Sequence, residues 1–228
     1  MPLSTLNRPC PTFPVKVITL LGEELYLLPE RAIYWPAQQA LLLADLHLGK
    51  SGHFRKHGIA VSPGVLQKDL DRLASLLQHW KPEQIFFLGD LFHSRYNQEW
   101  EPFAELLKGF KGKATLVKGN HDILKSEQYV AAGLELVSDH LDLGPFRLIH
   151  ERPTEPEQGR PYYIAGHVHP GVWLQGGGRQ RLKLPCYFFG EQHGLLPAFG
   201  NFTGLYCLEP TEKDQVYVLV EDQVVQVG

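Results

Sequence analysis

Cysteine is scarce in this 228-residue chain, with only Cys10, Cys186 and Cys207. Their odd number and wide spacing exclude a disulfide framework and a CxxC metal knuckle, and fit a reducing compartment. No apolar run approaches the ~20 residues that a membrane-spanning helix needs. The opening stretch MPLSTLNRPCPTF has no apolar h-region and carries prolines, so it does not read as a signal peptide. A soluble, cytoplasmic protein without membrane attachment is expected. A cationic surplus is missing too: the formal net charge is −3. That excludes the global positive field common among nucleic-acid binders and leaves only local basic patches for such contacts. Repeats and low-complexity tracts are absent. What remains, 43% hydrophobic and 21% charged, is an ordinary globular composition. It suits a single α/β domain over residues 1–228, with 1–14 as an irregular N-terminal segment.

The first half alternates between two periodicities. Residues 15–35 read as short strands and turns. Ala40–Asp45 (ALLLAD) is a short continuous apolar run, as expected of a strand buried on both faces. Ser62-Pro63 followed by Leu66, Leu70, Leu73, Leu77 and Trp80 predicts a capped amphipathic helix. Gln84–Gly89 predicts a second buried strand, residues 99–110 a second helix with Pro102 in its first turn, and Ala114–Lys118 a third strand. The second half is richer in strands: Phe146–His150, Tyr162–Gly166, Arg179–Leu184, Tyr187–Gly190 and segments after 203. Gly176–Gly178 marks a hairpin, and Glu151–Arg160, rich in Pro and Glu, a loop within the domain. Mixed α/β followed by strands implies an α/β fold of two facing mixed sheets flanked by helices.

Five segments carry the chemistry: Asp45-Leu46-His47, Gly89-Asp90, Gly119-Asn120-His121-Asp122, His150, and Gly166-His167-Val168-His169. Each stands at or just after a predicted strand end, where functional groups of α/β sheets collect. In extended chain, residues i and i+2 point the same way, so Asp45 with His47, and His167 with His169, can face one cavity. The glycines before Asp90, Asn120 and His167 permit close approach of backbone to ligand. The donors are nitrogen and oxygen without thiolate, which suits Mn, Fe or Zn. Two ions ~3.5–4 Å apart need a shared carboxylate, and Asp90 on the middle strand is the expected bridge. One strand-end His is commonly structural, and DxH or GHxH alone says little. The ordered set of five carries the reading.

DLH, GD, GNHD, a later His and GHVH, in that order, resemble the signature of the calcineurin-like metallophosphoesterases. Longer stretches, Leu28–Pro36 (LPERAIYWP), Leu43–Lys50 (LADLHLGK), Gly89–His93 (GDLFH) and Leu196–Gly204 (LPAFGNFTG), are similar to the bacterial ligase-associated DNA-damage-response endonuclease family, PdeM. The resemblance implies a four-layer α/β/β/α sandwich. It implies two divalent ions, Mn²⁺ first among them: one on Asp45, His47, Asp90 and His169, the other on Asp90, Asn120, His150 and His167. His121 would contact the phosphate and assist the leaving group. Asp122 would orient His121 or cap a turn. DNA as substrate, and a DNA ligase, helicase and exonuclease as repair partners, follow by family association.

Other residues carry weaker signals. His93 could contact phosphate, sit behind the ligands or simply pack. Lys50, His53, Arg55, Lys56 and His57 form a basic loop that could meet a phosphate backbone or remain solvated. Arg179, Arg181 and Lys183 alternate along one strand, more in the manner of a solvated face than of a DNA groove. Three functions stay open: a DNA endonuclease; a small-molecule phosphatase or cyclic-nucleotide phosphodiesterase, which the acidic balance favours; and a metal-bound interaction module without catalysis, which an intact His121 argues against.

Overall fold

The computed structural model describes residues 15–48, 64–92, 100–153, 162–176, 180–201 and 203–227, the side chains of 64–66 excepted. The 1–14 segment therefore lies outside the described residues. Among the described residues, sheet one has seven strands in sequence order: β1 (Lys16–Leu20), β2 (Glu23–Leu28), β3 (Ala32–Trp35), β4 (Ala40–Leu43), β5 (Gln84–Leu88), β6 (Lys113–Val117) and β7 (Leu134–Val137). β1 to β4 pair antiparallel through short turns. Leu21 (φ 50°) and Gly22 (φ 84°) make the first of these, a two-residue turn with both angles positive that matches strand twist.

From β4 onward the pairing is parallel, so each connection must cross over. Three helices make the crossings: α1 (Gly64–Trp80), α2 (Trp100–Gly109) and α3 (Ser126–Ala131). α1 buries Leu70, Leu73, Leu76 and Trp80, one stripe at helical spacing, against Leu41, Leu43, Ile85 and Phe87 of the sheet. Each such leucine contributes about 1.5–3 kcal/mol by leaving water. The helix stops at Lys81, whose φ of 46° and N–H bond to Leu77 O turn the chain before Pro82. Pro102 falls in the first turn of α2, as expected.

Sheet two, among the described residues, holds nine strands: β8 (His140–Leu143), β9 (Phe146–Ile149), β10 (Tyr162–Ala165), β11 (Pro170–Gln175), β12 (Arg181–Phe189), β13 (His193–Leu195), β14 (Tyr206–Cys207), β15 (Gln215–Val220) and β16 (Gln223–Val227). Both sheets are mixed. Their facing sides form one apolar layer, with Leu42, Phe86, Leu88 and Val117 from one sheet and Phe146, Leu148, Ile164, Tyr187 and Phe189 from the other. The Tyr187 hydroxyl crosses that layer to Leu28 O (2.7 Å) and Ala32 O (2.8 Å), donating to one of them.

One expectation needs correction. The expected strands Arg179–Leu184 and Tyr187–Gly190 are replaced, over the described residues, by one strand, β12 (Arg181–Phe189), running through Pro185. Pro185 is the last residue paired to β11, and the neighbour changes to β15 at Cys186. A proline fits where one ladder hands over to the next. The expected helices lie on sheet one; among the described residues no helix follows Ala131. The outer side of sheet two is instead an apolar cluster that includes Tyr163, Val172, Phe188 and Val216. α3, β7, β8, β11 and β13 had no clear sequence signal. Among the described residues no helix is long and apolar enough to cross a membrane.

Candidate metal centre

Five strands of the two sheets aim their carboxyl ends at one place. Asp45 follows β4, Asp90 follows β5, Asn120 follows β6, His150 follows β9, and His167 and His169 follow β10. The side chains gather into two groups, Asp45–His47–His169 and Asp90–His150–His167, each with ligand atoms mutually within 4.8 Å. His47 Nε2 lies 3.1 Å from His169 Nε2, and His167 Nδ1 lies 3.1 Å from His150 Nε2. Asp90 stands between the groups, with Oδ1 3.3 Å from His150 Nε2 and Oδ2 3.9 Å from His47 Nε2. Asn120 Oδ1 is 3.2 Å from His150 Nε2. All seven expected ligand residues are thus brought together.

The local backbone is not the extended chain expected from the i, i+2 spacing. Asp45 (φ 56°), His47 (φ 49°), Asp90 (φ 50°), His167 (φ 66°) and His169 (φ 51°) all lie in the left-handed region. Non-glycine residues there are strained and cluster at functional sites. His167 and His169 divide between the two groups, one in each, as the expected ligand sets have them. The glycines do act through close approach. A Cβ on Gly89 would lie 2.7 Å from His150 Cβ and closer still to its ring. One on Gly119 would meet Asp90, and one on Gly166 would lie 2.7 Å from Asp45 Oδ2.

Hydrogen bonds knit these loops. Asp45 N donates to Gly89 O (3.1 Å) and His47 N to Asp90 O (2.9 Å), which extends the β4–β5 pairing into the site. His167 N donates to Asp45 Oδ2 (2.9 Å), joining the two sheets. His121 N donates to Asp90 Oδ1 (3.0 Å).

The donor set fits cations. Asp45 is fully buried, and its Oδ1 accepts no hydrogen bond among the described residues. A buried, unsatisfied carboxylate oxygen is costly unless a positive charge meets it. His150 Nδ1 lies 3.0 Å from Leu88 O, a pure acceptor, so Nδ1 carries the proton. In the neutral ring Nε2 then presents a lone pair toward Asn120 Oδ1 and Asp90 Oδ1, two further acceptors. A cation held by these three residues would turn that repulsion into attraction, and the Leu88 bond is the kind of outer contact that would fix His150 as a ligand.

Burial grades across the centre. Asp90 is 2% and His150 4% exposed, whereas the His121 side chain is 42% exposed, with Nε2 4.0 Å from Asp90 Oδ2. His121 therefore stands at the open rim. Asp122 takes the turn-capping place: Oδ1 accepts from Leu91 N (3.0 Å) and Phe92 N (3.2 Å), and Oδ2 from Gly119 N (2.8 Å). Burial raises its carboxyl above the ordinary range, against the pull of these N–H groups. Its oxygens hold the backbone that presents Asp90 and Asn120. His93, Lys50, Arg55 and Lys56, with His53, His57 and Arg179, lie outside the described residues. Arg181 is exposed and Lys183 donates to Leu205 O.

Sequence reasoning passed over two parts of this region. Glu151 follows His150 and approaches His167 Nε2 at 3.7 Å. Asp69, Arg72 and Asn201 surround the Ala198–Gly200 backbone; the Leu196–Gly204 motif was visible, but its partners on α1 gave no separate signal.

The sequence profile of the calcineurin-like phosphoesterases matches residues 39–192. Among solved structures, the chain is similar to Pseudomonas putida nuclease MPE, at 35% identity over 93% of this chain and 100% of that one, with a TM-score of 0.79. Weaker likenesses are to AQ665 of Aquifex aeolicus, a protein of unknown function (18% identity, 61% and 82% covered, TM-score 0.42), and to the E. coli phosphoesterase Yfce (16%, 82% and 97%, 0.42). No match was found among curated proteins. Family profile, fold and the paired carboxylate–histidine groups agree: this chain belongs to the calcineurin-like phosphoesterase family and is a metal-dependent phosphoesterase.

Proposed function

We propose that the chain is a dinuclear phosphodiesterase that cleaves DNA as an endonuclease, with Mn²⁺ as its ion and Fe or Zn as alternatives. The observation that carries this is the Asp90 carboxylate set between two histidine groups, with the His121 imidazole over the open side. When bound, a pair of divalent ions supplies positive charge to phosphate oxygens and makes a water acidic enough to attack near neutral pH. Asp45, His47, Asp90 and His169 would hold one ion; Asp90, Asn120, His150 and His167 the other. His121 would donate a hydrogen bond to a phosphate oxygen and a proton to the departing oxygen. Lys50, Arg55, Lys56 and His93 remain candidates for the phosphate backbone.

DNA as substrate is supported by the likeness to a nuclease over the full length of that chain. A place in repair beside a DNA ligase, helicase and exonuclease belongs to the same proposal and is supported by the flanking motifs. A second reading, a small-molecule phosphatase or cyclic-nucleotide phosphodiesterase, is favoured by the net charge of −3.

The test assays purified protein with Mn²⁺ and with chelator on phosphodiester and phosphomonoester dyes and on single-stranded, nicked and flapped DNA. Asp90→Ala runs as the control for contaminating nuclease. Mn²⁺-dependent DNA cleavage, absent in the variant, is the expected result. Cleavage of the monoester alone would sink the DNA reading, and metal uptake without any cleavage would leave an interaction module.

A further inference from the structure

Behind the first ligand pair lies a charged cluster that no catalytic step uses. The segment Ala198–Gly200 runs alongside Ala44–Leu46: Ala44 and Ala198 form an isolated parallel bridge, Phe199 N donates to Ala44 O (2.8 Å), and Gly200 N donates to Asp45 O (3.0 Å). The fit leaves no space for a side chain at residue 200, where a Cβ would overlap Leu46 O. This splint is the backbone neighbour of Asp45 on the side away from β5.

The splint is pinned by charge. Arg72 on α1 donates to Phe199 O, stacks over the Phe199 ring at 4.2 Å and pairs with Asp69 at 2.7 Å. Asp69, itself buried, accepts from Asn201 Nδ2 (2.6 Å) and Asn201 N (3.2 Å). Arg31 on the β2–β3 turn, at φ 67°, reaches Ala198 O (3.3 Å) and Gly200 O (3.5 Å). Burial pushes the Asp69 carboxyl up and the two guanidinium groups down from their ordinary values, the cost of holding charge inside. Two separate elements, α1 and the β2–β3 turn, thus set three largely buried charges against four residues of backbone beside a candidate ligand.

We infer that Arg31, Asp69, Arg72 and Asn201 are positioning residues that hold Asp45 and His47 in their left-handed conformations, so that loosening the cluster weakens one ion site selectively. The physical reason is that Asp45 and His47 are strained as they stand. Without the splint on one side, the loop can relax toward ordinary backbone angles, and the two donors separate. Partners one step behind a ligand typically alter metal affinity by about 10- to 100-fold when removed. This inference rests on the reading of Asp45 and His47 as ligands.

The experiment titrates metal-free protein with Mn²⁺, following heat and the paramagnetic resonance of the bound ion. The variants are Asn201→Ala, which removes the side-chain bond to Asp69 from an exposed position, and Arg72→Lys, which keeps the charge but loses the planar fork. Val216→Ala, in the outer cluster of sheet two, controls for lost stability. Expected are two ions in wild type with a spin-coupled signal. In both cluster variants one ion should bind about 10- to 100-fold more weakly, and the signal at one equivalent should be that of an isolated ion. Asn201→Ala is the arm that stays informative should Arg72→Lys fold poorly. Unchanged affinity for both ions in Asn201→Ala, or the same loss in Val216→Ala, overturns the inference alone. Wild type that takes up no Mn²⁺ overturns the ligand reading and this inference with it.

Discussion

Gly89→Ala isolates the geometry on which the centre depends. Two costs follow from the structure. Gly89 sits at φ 75°, where a residue with a Cβ is strained by about 1–2 kcal/mol. The added methyl would also fall on the His150 side chain, 2.7 Å from its Cβ and nearer to the ring. Relieving that overlap costs about 1–3 kcal/mol by the usual penalty for overpacking. It also moves His150, which breaks the 3.0 Å contact of Nδ1 with Leu88 O and takes Nε2 out of reach of Asp90. Gly22→Ala is the matched control: its φ is 84°, yet nothing lies within 4 Å of the new methyl. The sums are about 2–5 kcal/mol for Gly89→Ala and about 1–2 for Gly22→Ala. For a domain of this size they correspond to falls in Tm of roughly 4–20 °C and 2–8 °C. Calorimetry in chelator separates these costs from metal loss. A Mn²⁺ titration should then show two ions for Gly22→Ala and one for Gly89→Ala, the Asp45–His47–His169 group being untouched. If Gly89→Ala takes up two ions at wild-type affinity and melts no lower than Gly22→Ala, the close packing of Gly89 on His150 does not govern ion binding.

Asp90→Ala should abolish paired binding, seen as fewer than two ions per chain by elemental analysis and loss of all phosphoesterase activity. His121→Ala should keep both ions while slowing cleavage by about 10²–10⁴-fold, the usual share of a positioned acid or base; loss of metal instead would contradict its place at the rim. Asp122→Asn sets an amide N–H₂ against a buried backbone N–H, at Gly119 or at Leu91 and Phe92, and should cost about 1–3 kcal/mol in denaturant unfolding. A variant as stable as wild type would remove Asp122 from the turn-capping role. Burial pushes the Cys186 thiol up to about 12; at pH 8 iodoacetamide should label it only after unfolding.

The gathering of the candidate ligands was legible because they stand at or just past the ends of strands whose apolar runs are plain, as in ALLLAD, QIFFLG and YYIAG. The conformation of those residues was not legible. Alternation predicts that Asp45 and His47 share a side because the chain is extended, whereas both turn left-handed, and periodicity carries no trace of that. Asp122 shows the same limit. An Asp after Asn-His suits either an imidazole partner or a turn cap, and only the positions of Leu91 N, Phe92 N and Gly119 N reveal the capping bonds. Pro185 misled for a physical reason: a proline ends most strands, but here it coincides with a change of neighbour. The partners of Asn201 could not be found locally, since Asp69 lies 132 residues away in the chain.

The short turn after β10 delivers His167 to one pocket and His169 to the other, and Val168 N bonded to Gly166 O at 2.8 Å keeps the turn tight. A cation held on either flank would therefore immobilise the donor required on the opposite flank. Loading would then be cooperative: at limiting metal the population would divide into empty and fully charged molecules, with few carrying a solitary ion.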